Sequence, residues 1–343
     1  MMVRNTAQYL IEAGMATAVV TPRAPGRCAG AVKMVEYASL AFPGHAPYRM
    51  GAAWFDRTIR RRIGSIPFDI VHAHCPFSSG TLALATARSR GVPIVATMHS
   101  RYLEDLRRAV RVEWVARWFL ARIVAFYDSV DEVWVPNEST RSVLESYGYD
   151  GPITVQRNGT EIDRPDSVAR DRLRAAGRMA LGIPDTRTVA LYVGQQRVEK
   201  NVGLIIGALG RMKRYGTPTP LTGLIRERDR LKELYAASDF FVFPSTYDTD
   251  GIVVTEAAAF AIDTLSRDAS FRAELGGRAS VDLYRSAREA TAEAYERYTD
   301  LVDRSRTRRE AQYRAITTRS AAQLEARHRV RRVLWRSESR RSP

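Results

Sequence analysis

Short apolar runs alternate with longer helical patterns through the first half of the chain, and this alternation restricts the possible folds more than any other feature. The runs are rich in Val and Ile and lack polar alternation, so both faces of their sheet are expected to be buried. Segments with the residue pattern of helices separate these runs, for example residues 78–91 and 138–148. This order predicts βαβ units with a parallel sheet. The predicted strands are residues 16–22, 68–74, 92–99, 131–136 and 152–158.

A shorter series of the same kind occupies the second half. Its predicted helices are residues 201–216 and 227–238, and its predicted strands are residues 188–194, 221–225 and 239–244. The polar, charged segment 161–186 is the predicted linker between the halves. A chain of 343 residues is long enough for two domains, so we expect two α/β units joined through this segment.

The net charge of +15 is concentrated at the C-terminal end. Residues 304–343 contain 13 arginines and 3 glutamates, a balance of +10. Such a stretch can contact nucleic acid or lipid head groups, or it can be a solvated tail that is partly helical and partly disordered. No nucleic-acid recognition motif accompanies it, which disfavours nucleic acid as the partner.

Cysteine use and hydropathy predict a cytoplasmic protein. Cys28 and Cys75 are far apart and lack the spacing of a metal site, which is typical of a reducing compartment. No apolar run approaches the roughly 18 residues of a transmembrane helix. The first residues are too polar for the apolar core of a signal peptide.

Two predicted strand-to-helix loops in the second half carry residues suited to binding phosphate and sugar. The first runs from Gly194 to Asn201 and contains Arg197 and Lys200. Ligands in open α/β sheets bind at the carboxyl ends of strands, where the ammonium group of Lys200 could meet a phosphate. An ordinary strand–helix connection would show the same spacing.

The second loop follows Pro244, and Gly251 stands near the start of the next predicted helix. Backbone N–H groups and the helix dipole at such a start form an anion site. Asp248 and Glu256 bracket this turn, and ionised carboxylates accept hydrogen bonds from sugar hydroxyls. In the alternative interpretation, Asp248 or Thr249 caps the helix and Glu256 is an exposed helix residue.

The order of these motifs resembles that of the retaining GT-B glycosyltransferases of family four. The resemblance covers most of residues 1–300 and excludes the arginine-rich end. It is carried by the segments FDIVHAHCPFSSGTLALATARSRGVPIVATMHSRY, DEVWVPNESTRSVLESYG, QRNGTEI, LYVGQQRVEKN, LTGLI, LYAASDFFVFPSTYDTDGIVVTEAAA and LYRSAREATAEAYERY. It implies an α/β fold of GT-B type, in which two Rossmann-like domains face a cleft and the C-terminal one is reduced. The resemblance and the composition together predict an acceptor-binding domain (1–165), a reduced nucleotide-sugar-binding domain (187–279), a C-terminal helix (280–303) and a basic tail (304–343).

The resemblance also implies roles for particular residues. His99 and Asp248 would face the transferred sugar as catalytic residues, His99 from the first domain. Glu256 would hold the ribose hydroxyls, and Lys200 would contact the donor diphosphate. A nucleotide diphosphate sugar would be the donor, and transfer would need no metal or other cofactor. The complete set of implied donor-binding residues is Gly194, Gln195, Arg197, Lys200, Gly251, Ile252, Val253 and Glu256.

The chain departs from the family pattern at several places. Gln195 stands where the family usually has Arg, and Asp248 where Glu is commoner. The family usually opens with a strand and a Gly-rich loop, and this chain starts after both. Residues 216–220 and the segment after Phe260 leave too little room for further βαβ units of roughly 30 residues. A reduced donor domain is therefore expected.

Three other patterns bear on metal and membrane binding. His72 and His74 share one face of a predicted strand, either as metal ligands or as neutral histidines at the strand's end. Residues 48–64 mix Trp54 and Phe55 with arginines and are predicted to be a helix, either on an anionic membrane or with a solvated basic face. Residues 112–127 have apolar positions at helical spacing and are predicted to be core.

The leading hypothesis is a retaining glycosyltransferase that moves a hexose from a nucleotide diphosphate sugar to a hydroxyl acceptor. A lipid at the inner face of the membrane is one candidate acceptor, which would make the enzyme a peripheral membrane protein. The alternatives are a catalytically inactive relative, because segments are missing, and a binder of anionic surfaces that acts through the arginine-rich end.

Overall fold

The structure is a computed structural model of the chain. It describes residues 2–24, 32–41, 49–110, 112–196, 198–212, 222–225, 227–245, 251–260 and 283–338, with side chains from residue 3 to residue 312. Two predicted site residues, Arg197 and Asp248, lie outside these ranges.

The first half is built on a parallel sheet, as predicted. The described strands are β1 (Ala18–Pro22), β2 (Lys33–Tyr37), β3 (Ser39–Ala41), β4 (Arg49–Gly51), β5 (Val71–Ala73), β6 (Ile94–Thr97), β7 (Glu132–Val135), β8 (Ile153–Val155), β9 (Ala190–Leu191) and β10 (Phe240–Phe241). Four of them form a parallel sheet in the order β5-β6-β7-β8. β1 pairs with β2 and β9 with β10 in parallel, whereas β3 and β4 are antiparallel. Each of the five strands predicted in the first half is present within its predicted run.

Helices alternate with these strands. They are α1 (Met2–Glu12), α2 (Ile59–Gly64), α3 (Ser78–Arg90), α4 (Tyr102–Val110), α5 (Glu113–Tyr127), α6 (Glu138–Ser146), α7 (Ser167–Leu181), α8 (Val202–Met212), α9 (Arg228–Ala237), α10 (Ile252–Ala259) and α11 (Ala287–Glu338). α11 continues without a break past residue 304, where the sequence analysis placed the start of the basic tail.

Both faces of the four-stranded sheet are buried by helices. On one face, Val133 of β7 packs with Ile123 of α5. On the other, Trp134 packs with Leu10 of α1 and Tyr298 of α11. Because successive strand residues point to opposite faces, burial at both positions confirms the predicted two-sided packing. Each large apolar side chain buried here contributes about 1.5–3 kcal/mol, which holds α1 and α11 against the sheet.

The second half has a smaller sheet than predicted. β9 and β10 contain two residues each, and they are the only strands in the described part of this half. The prediction of a strand at residues 221–225 is wrong, because residues 222–225 do not form a strand. Gly223 there has a φ of +67°, and such a left-handed residue interrupts an extended strand.

A buried polar cluster joins α7 to both strands of the second half. Asp239 precedes β10, and its carboxylate accepts hydrogen bonds from Arg174 Nη2 at 2.6 Å and Arg178 Nη2 at 2.9 Å. The same carboxylate accepts from the backbone N–H of Val189, next to β9, at 2.7 Å. Arg178 is 2% exposed and also donates to the carbonyl of Ala237 at 3.1 Å. Asp239 therefore fixes one helix and two strands at a single point.

The two halves meet beside the start of α11. Thr160 forms a parallel bridge with Ser286, the residue that precedes α11. A Cβ at Gly159 would lie 2.1 Å from the carbonyl oxygen of Ser286, so the close approach requires glycine. A second contact joins the halves, where Arg108 of α4 donates to Glu199 at 3.2 Å.

The prediction of a single helix at residues 48–64 is wrong for most of the segment. The segment contains β4, then a short 3-10 turn that includes Trp54 and Phe55, and then α2. Asp56 Oδ1 accepts hydrogen bonds from the N–H groups of Thr58 and Ile59, so the Asp56 side chain stabilises a turn between the 3-10 turn and α2. Trp54 and Phe55 are 65% and 72% exposed, so the basic aromatic surface exists without the single helix.

The prediction that residues 112–127 are core is only half right. α5 buries the side chains of Leu120, Ile123 and Phe126. Its other side exposes Trp114 by 74% and Trp118 by 55%. Helical spacing identified an apolar pattern, but one side of this helix has no cover among the described residues.

Candidate functional site

The two predicted phosphate loops lie side by side at the carboxyl ends of β9 and β10. Lys200 ends a short 3-10 turn, and its Nζ lies 5.7 Å from the centroid of the Phe243 ring. The Phe243 ring also borders Gly251, since a Cβ added at Gly251 would be 3.5 Å from it. Asn201 Nδ2 donates to the carbonyl of Pro244 at 3.0 Å. The structure therefore brings Lys200 and Gly251 to one edge of the sheet.

Gly251 begins α10 as its N-cap residue. Its φ of +56° lies in the left-handed region, which glycine adopts without steric cost. Glycine has no side chain and makes no side-chain cap hydrogen bond, and Asp248 and Thr249, the caps of the alternative interpretation, lie outside the described residues. Ile252 and Val253 follow in the first turn, where N–H groups lack intrahelical partners and the helix dipole favours an anion.

Glu256 is buried on α10, which excludes the alternative of an exposed helix residue. It is 6% exposed. Its Oε1 accepts from Arg228 Nη1 at 3.2 Å, and its Oε2 accepts from Tyr235 Oη at 2.8 Å. Burial and the nearby Glu256 charge raise the pKa of Tyr235 above its ordinary value, so this hydroxyl stays a donor. A carboxylate has about four acceptor positions, and these two bonds leave capacity for sugar hydroxyls.

Arg228 extends this cluster to a second carboxylate that the sequence analysis did not identify. Its Nη2 donates to Glu161 Oε2 at 3.2 Å, so one guanidinium bridges Glu161 and Glu256. Glu161 Oε1 is buried and has no hydrogen-bond partner among the described residues. Arg228 and Tyr235 are seven residues apart on α9 and therefore share one helix face, a spacing that the sequence already contained.

The remaining predicted donor residues contribute differently. Gly194 and Gln195 are exposed in the loop after β9, and the carbonyl of Gln195 accepts from Tyr192 Oη at 3.0 Å. Arg197 and Asp248 lie outside the described residues. The structure thus gathers Lys200, the Gly251 turn and Glu256 in the second half.

His99 lies in the first half, two residues after the end of β6, although the sequence predicted it at the end of the strand itself. Its Nε2 is 3.0 Å from Nδ1 of His74. Burial lowers the pKa of His99 to about 4 and that of His72 to about 3, so both rings are neutral at pH 7. Among the described residues, no three or more His, Cys, Asp or Glu side chains are arranged to hold a metal.

Comparisons with known proteins agree with this architecture. Residues 1–164 match the family model Glycosyltransferase Family 4. Sucrose-phosphate synthase from Thermosynechococcus elongatus has a similar structure, with a TM-score of 0.56 and 17% identity over 92% of each chain. Residues 1–164 thus match a glycosyltransferase family 4 domain, and the chain shares the fold of solved glycosyltransferases of GT-B type.

Two curated relatives are similar in sequence. One is the alpha-monoglucosyldiacylglycerol synthase of Streptococcus pneumoniae, 26% identical over 56% of this chain and 50% of that protein. The other is the sulfoquinovosyl transferase SQD2 of Arabidopsis thaliana, 25% identical over 74% of this chain and 53% of that protein. The chain spans about half the length of these relatives. No helix in the described residues is long and apolar enough to cross a membrane.

Proposed function

We propose that this protein is a retaining glycosyltransferase that moves a hexose from a nucleotide diphosphate sugar to a hydroxyl acceptor. The observation that carries the proposal is that Lys200 and Gly251 border the same Phe243 ring after β9 and β10, and that Glu256 is buried in the helix that Gly251 begins. A cation and a helix N-terminus suit the diphosphate, and a buried carboxylate suits the ribose.

In the proposed reaction the departing diphosphate accumulates negative charge. Lys200 and the first turn of α10 would stabilise that charge, as preorganised donors do for developing anions. His99 would meet the transferred sugar from the first half as a neutral hydrogen-bonding group. Asp248 would face the same sugar, and no metal ion is part of the proposal.

Donor binding and transfer are the direct tests of this function. We expect uridine or guanosine diphosphate to bind in calorimetric titration. Glu256→Gln is expected to weaken this binding by roughly tenfold or more, because a hydrogen bond to a charged group is worth about 1.5–3 kcal/mol. Glu233→Gln, on α9, is the control. A stably folded protein that binds neither nucleotide would instead be the catalytically inactive relative.

The exposed face of α5 supports a membrane-surface acceptor. Trp114 and Trp118 are one turn apart, and the exposed Arg117 and Arg122 lie beside them at helical spacing, three and four positions further along. The Arg122 guanidinium lies 5.9 Å from the centroid of the Trp118 ring. Tryptophans flanked by arginines are typical of helices that lie in the head-group region of anionic membranes. We therefore place the acceptor, a lipid hydroxyl, at an anionic bilayer.

Vesicle binding tests this assignment. We expect binding to phosphatidylglycerol vesicles and not to phosphatidylcholine vesicles, and we expect Trp114→Ser with Trp118→Ser to weaken it by about tenfold or more, since each indole loses apolar burial. Met179→Ser, which removes an exposed apolar side chain from α7, is the control. If deleting residues 304–343 abolishes binding while the tryptophan variants retain it, the arginine-rich end is the membrane contact instead.

A further inference from the structure

Three histidines from two adjacent strands form a continuous stack at the carboxyl edge of the large sheet. The rings of His72 and His74 are stacked with centroids 4.0 Å apart, and those of His74 and His99 with centroids 5.3 Å apart. Within the stack, His74 Nδ1 and His99 Nε2 are 3.0 Å apart, which is hydrogen-bond distance. The predicted sugar-facing histidine is therefore in direct polar contact with a second ring.

The base of the stack is held by two hydroxyl groups. His72 Nε2 is 2.6 Å from Oγ1 of Thr97 on β6, and His72 Nδ1 is hydrogen-bonded to Tyr298 Oη on α11. The Tyr298 ring stacks on the buried Trp134 with centroids 5.1 Å apart. Because both nitrogens of His72 are bonded and its partners are packed, this ring is a fixed platform for the two histidines above it.

The stack is uncharged near neutral pH. Burial holds the pKa of His74 well below its ordinary value, as it does for His72 and His99. A neutral imidazole has one N–H donor and one acceptor nitrogen. One ring donates and the other accepts in the His74–His99 bond, so the tautomer of His99 is coupled to that of His74.

We propose that His74 is a positioning residue that fixes the ring orientation and the tautomer of His99 through its Nδ1–Nε2 hydrogen bond. This inference rests on the proposed function, in which His99 meets the transferred sugar. His74 itself does not touch the sugar. It selects the nitrogen that His99 presents and prevents the ring from rotating about its side chain. A ring held in one orientation loses less freedom when the sugar binds, which is the advantage of preorganisation.

Two variants separate hydrogen bonding from stacking. His74→Phe keeps an aromatic ring between His72 and His99 but has no polar atom. His74→Asn places an amide close to the position of Nδ1 and lacks the ring. If His74 acts through its hydrogen bond, Asn restores its role and Phe does not. If His74 only fills space, Phe replaces it better than Asn.

Nitrogen NMR of ¹⁵N-histidine-labelled protein reads the tautomer without requiring activity. The chain has five histidines, and His99→Gln assigns the His99 signals. In the wild type we expect His99 to show one protonated and one bare nitrogen. In His74→Phe we expect the two His99 nitrogen signals to be averaged between tautomers. In His74→Asn we expect His99 to return to a single tautomer. Unchanged His99 signals in a folded His74→Phe protein would overturn the inference, even if no transfer activity is found.

Kinetics provide the second readout. With the donor and acceptor of the proposed function, His74→Phe is expected to lower kcat by about tenfold, the effect of losing one orienting hydrogen bond, with the donor KM within about twofold. His74→Asn is expected to recover most of kcat. If both variants lose only thermal stability and their folded fractions keep wild-type kcat, His74 is structural and the inference fails. If the wild type transfers no sugar, the proposed function fails and the NMR result still decides the role of His74.

Discussion

Lys200→Ala is expected to lower the kcat of sugar transfer by roughly 100-fold to 1,000-fold, the loss observed when one donor to a developing anion is removed. The reason is its position. The Lys200 ammonium group stands at the same sheet edge as the N-terminus of α10, with Phe243 between them. Charge on the departing diphosphate would then be stabilised from one side only. Transfer of radiolabelled sugar under saturating donor measures this directly.

The matched control is Lys232→Ala. Lys232 lies on α9, and its ammonium group pairs with the exposed Asp229 at 3.0 Å, away from the Lys200 loop. Surface changes of this kind usually alter free energies by less than about 0.5 kcal/mol, so kcat should stay within about twofold. Equal activities of Lys200→Ala and Lys232→Ala would remove Lys200 from the donor site.

Asp239→Ala is expected to destabilise the second half by about 3–5 kcal/mol, the cost of leaving a buried charge without its partner. Arg178 is almost completely buried and would lose its only carboxylate partner among the described residues, while the Val189 N–H would lose its acceptor. α7, β9 and β10 are joined at this carboxylate, so their amides should exchange faster together. Hydrogen exchange by mass spectrometry resolves this local loss better than a global unfolding curve does, because it reports each segment separately.

Asp229→Ala is the control for this experiment. Asp229 is on the neighbouring helix and forms an ion pair with Lys232, but its side chain is 88% exposed. Exposed pairs contribute about 0–1 kcal/mol, so exchange in α7, β9 and β10 should be nearly unchanged. If the amides of α7, β9 and β10 exchange as slowly in Asp239→Ala as in the wild type, the buried cluster does not hold the second half together.

The sequence predicted the local elements well where the signal was a short-range pattern. The strands at 71–73, 94–97 and 132–135 each lie within a predicted Val- and Ile-rich run. The glycine turn before α10 was identified because Gly251 precedes a helical pattern. The prediction failed at residues 222–225, where the apolar run contains a glycine with positive φ, and apolar content alone does not report φ.

The candidate site was predicted in part. Lys200, Gly251 and Glu256 were found from motif order, because each belongs to a loop or helix start with a local signature. Arg228 and Glu161 were missed, although they bridge to Glu256. These contacts join residues 28 and 67 positions apart in the chain, and no local pattern specifies them. The assignment of Glu256 to ribose stays a prediction.

By itself, the sequence determined the order of strands and helices, the α/β class and the positions of the glycine turn and the lysine loop, because all of these depend on neighbouring residues. Only the tertiary structure decided which side chains are buried together. The burial of Glu256 against Arg228 and Tyr235, the uncovered tryptophan face of α5, and the His72 bond to Tyr298, 226 positions away, arise from packing between distant segments. Periodicity shows that a helix has an apolar side, but only the presence or absence of a packed neighbour determines whether that side becomes core, a binding site or an exposed surface.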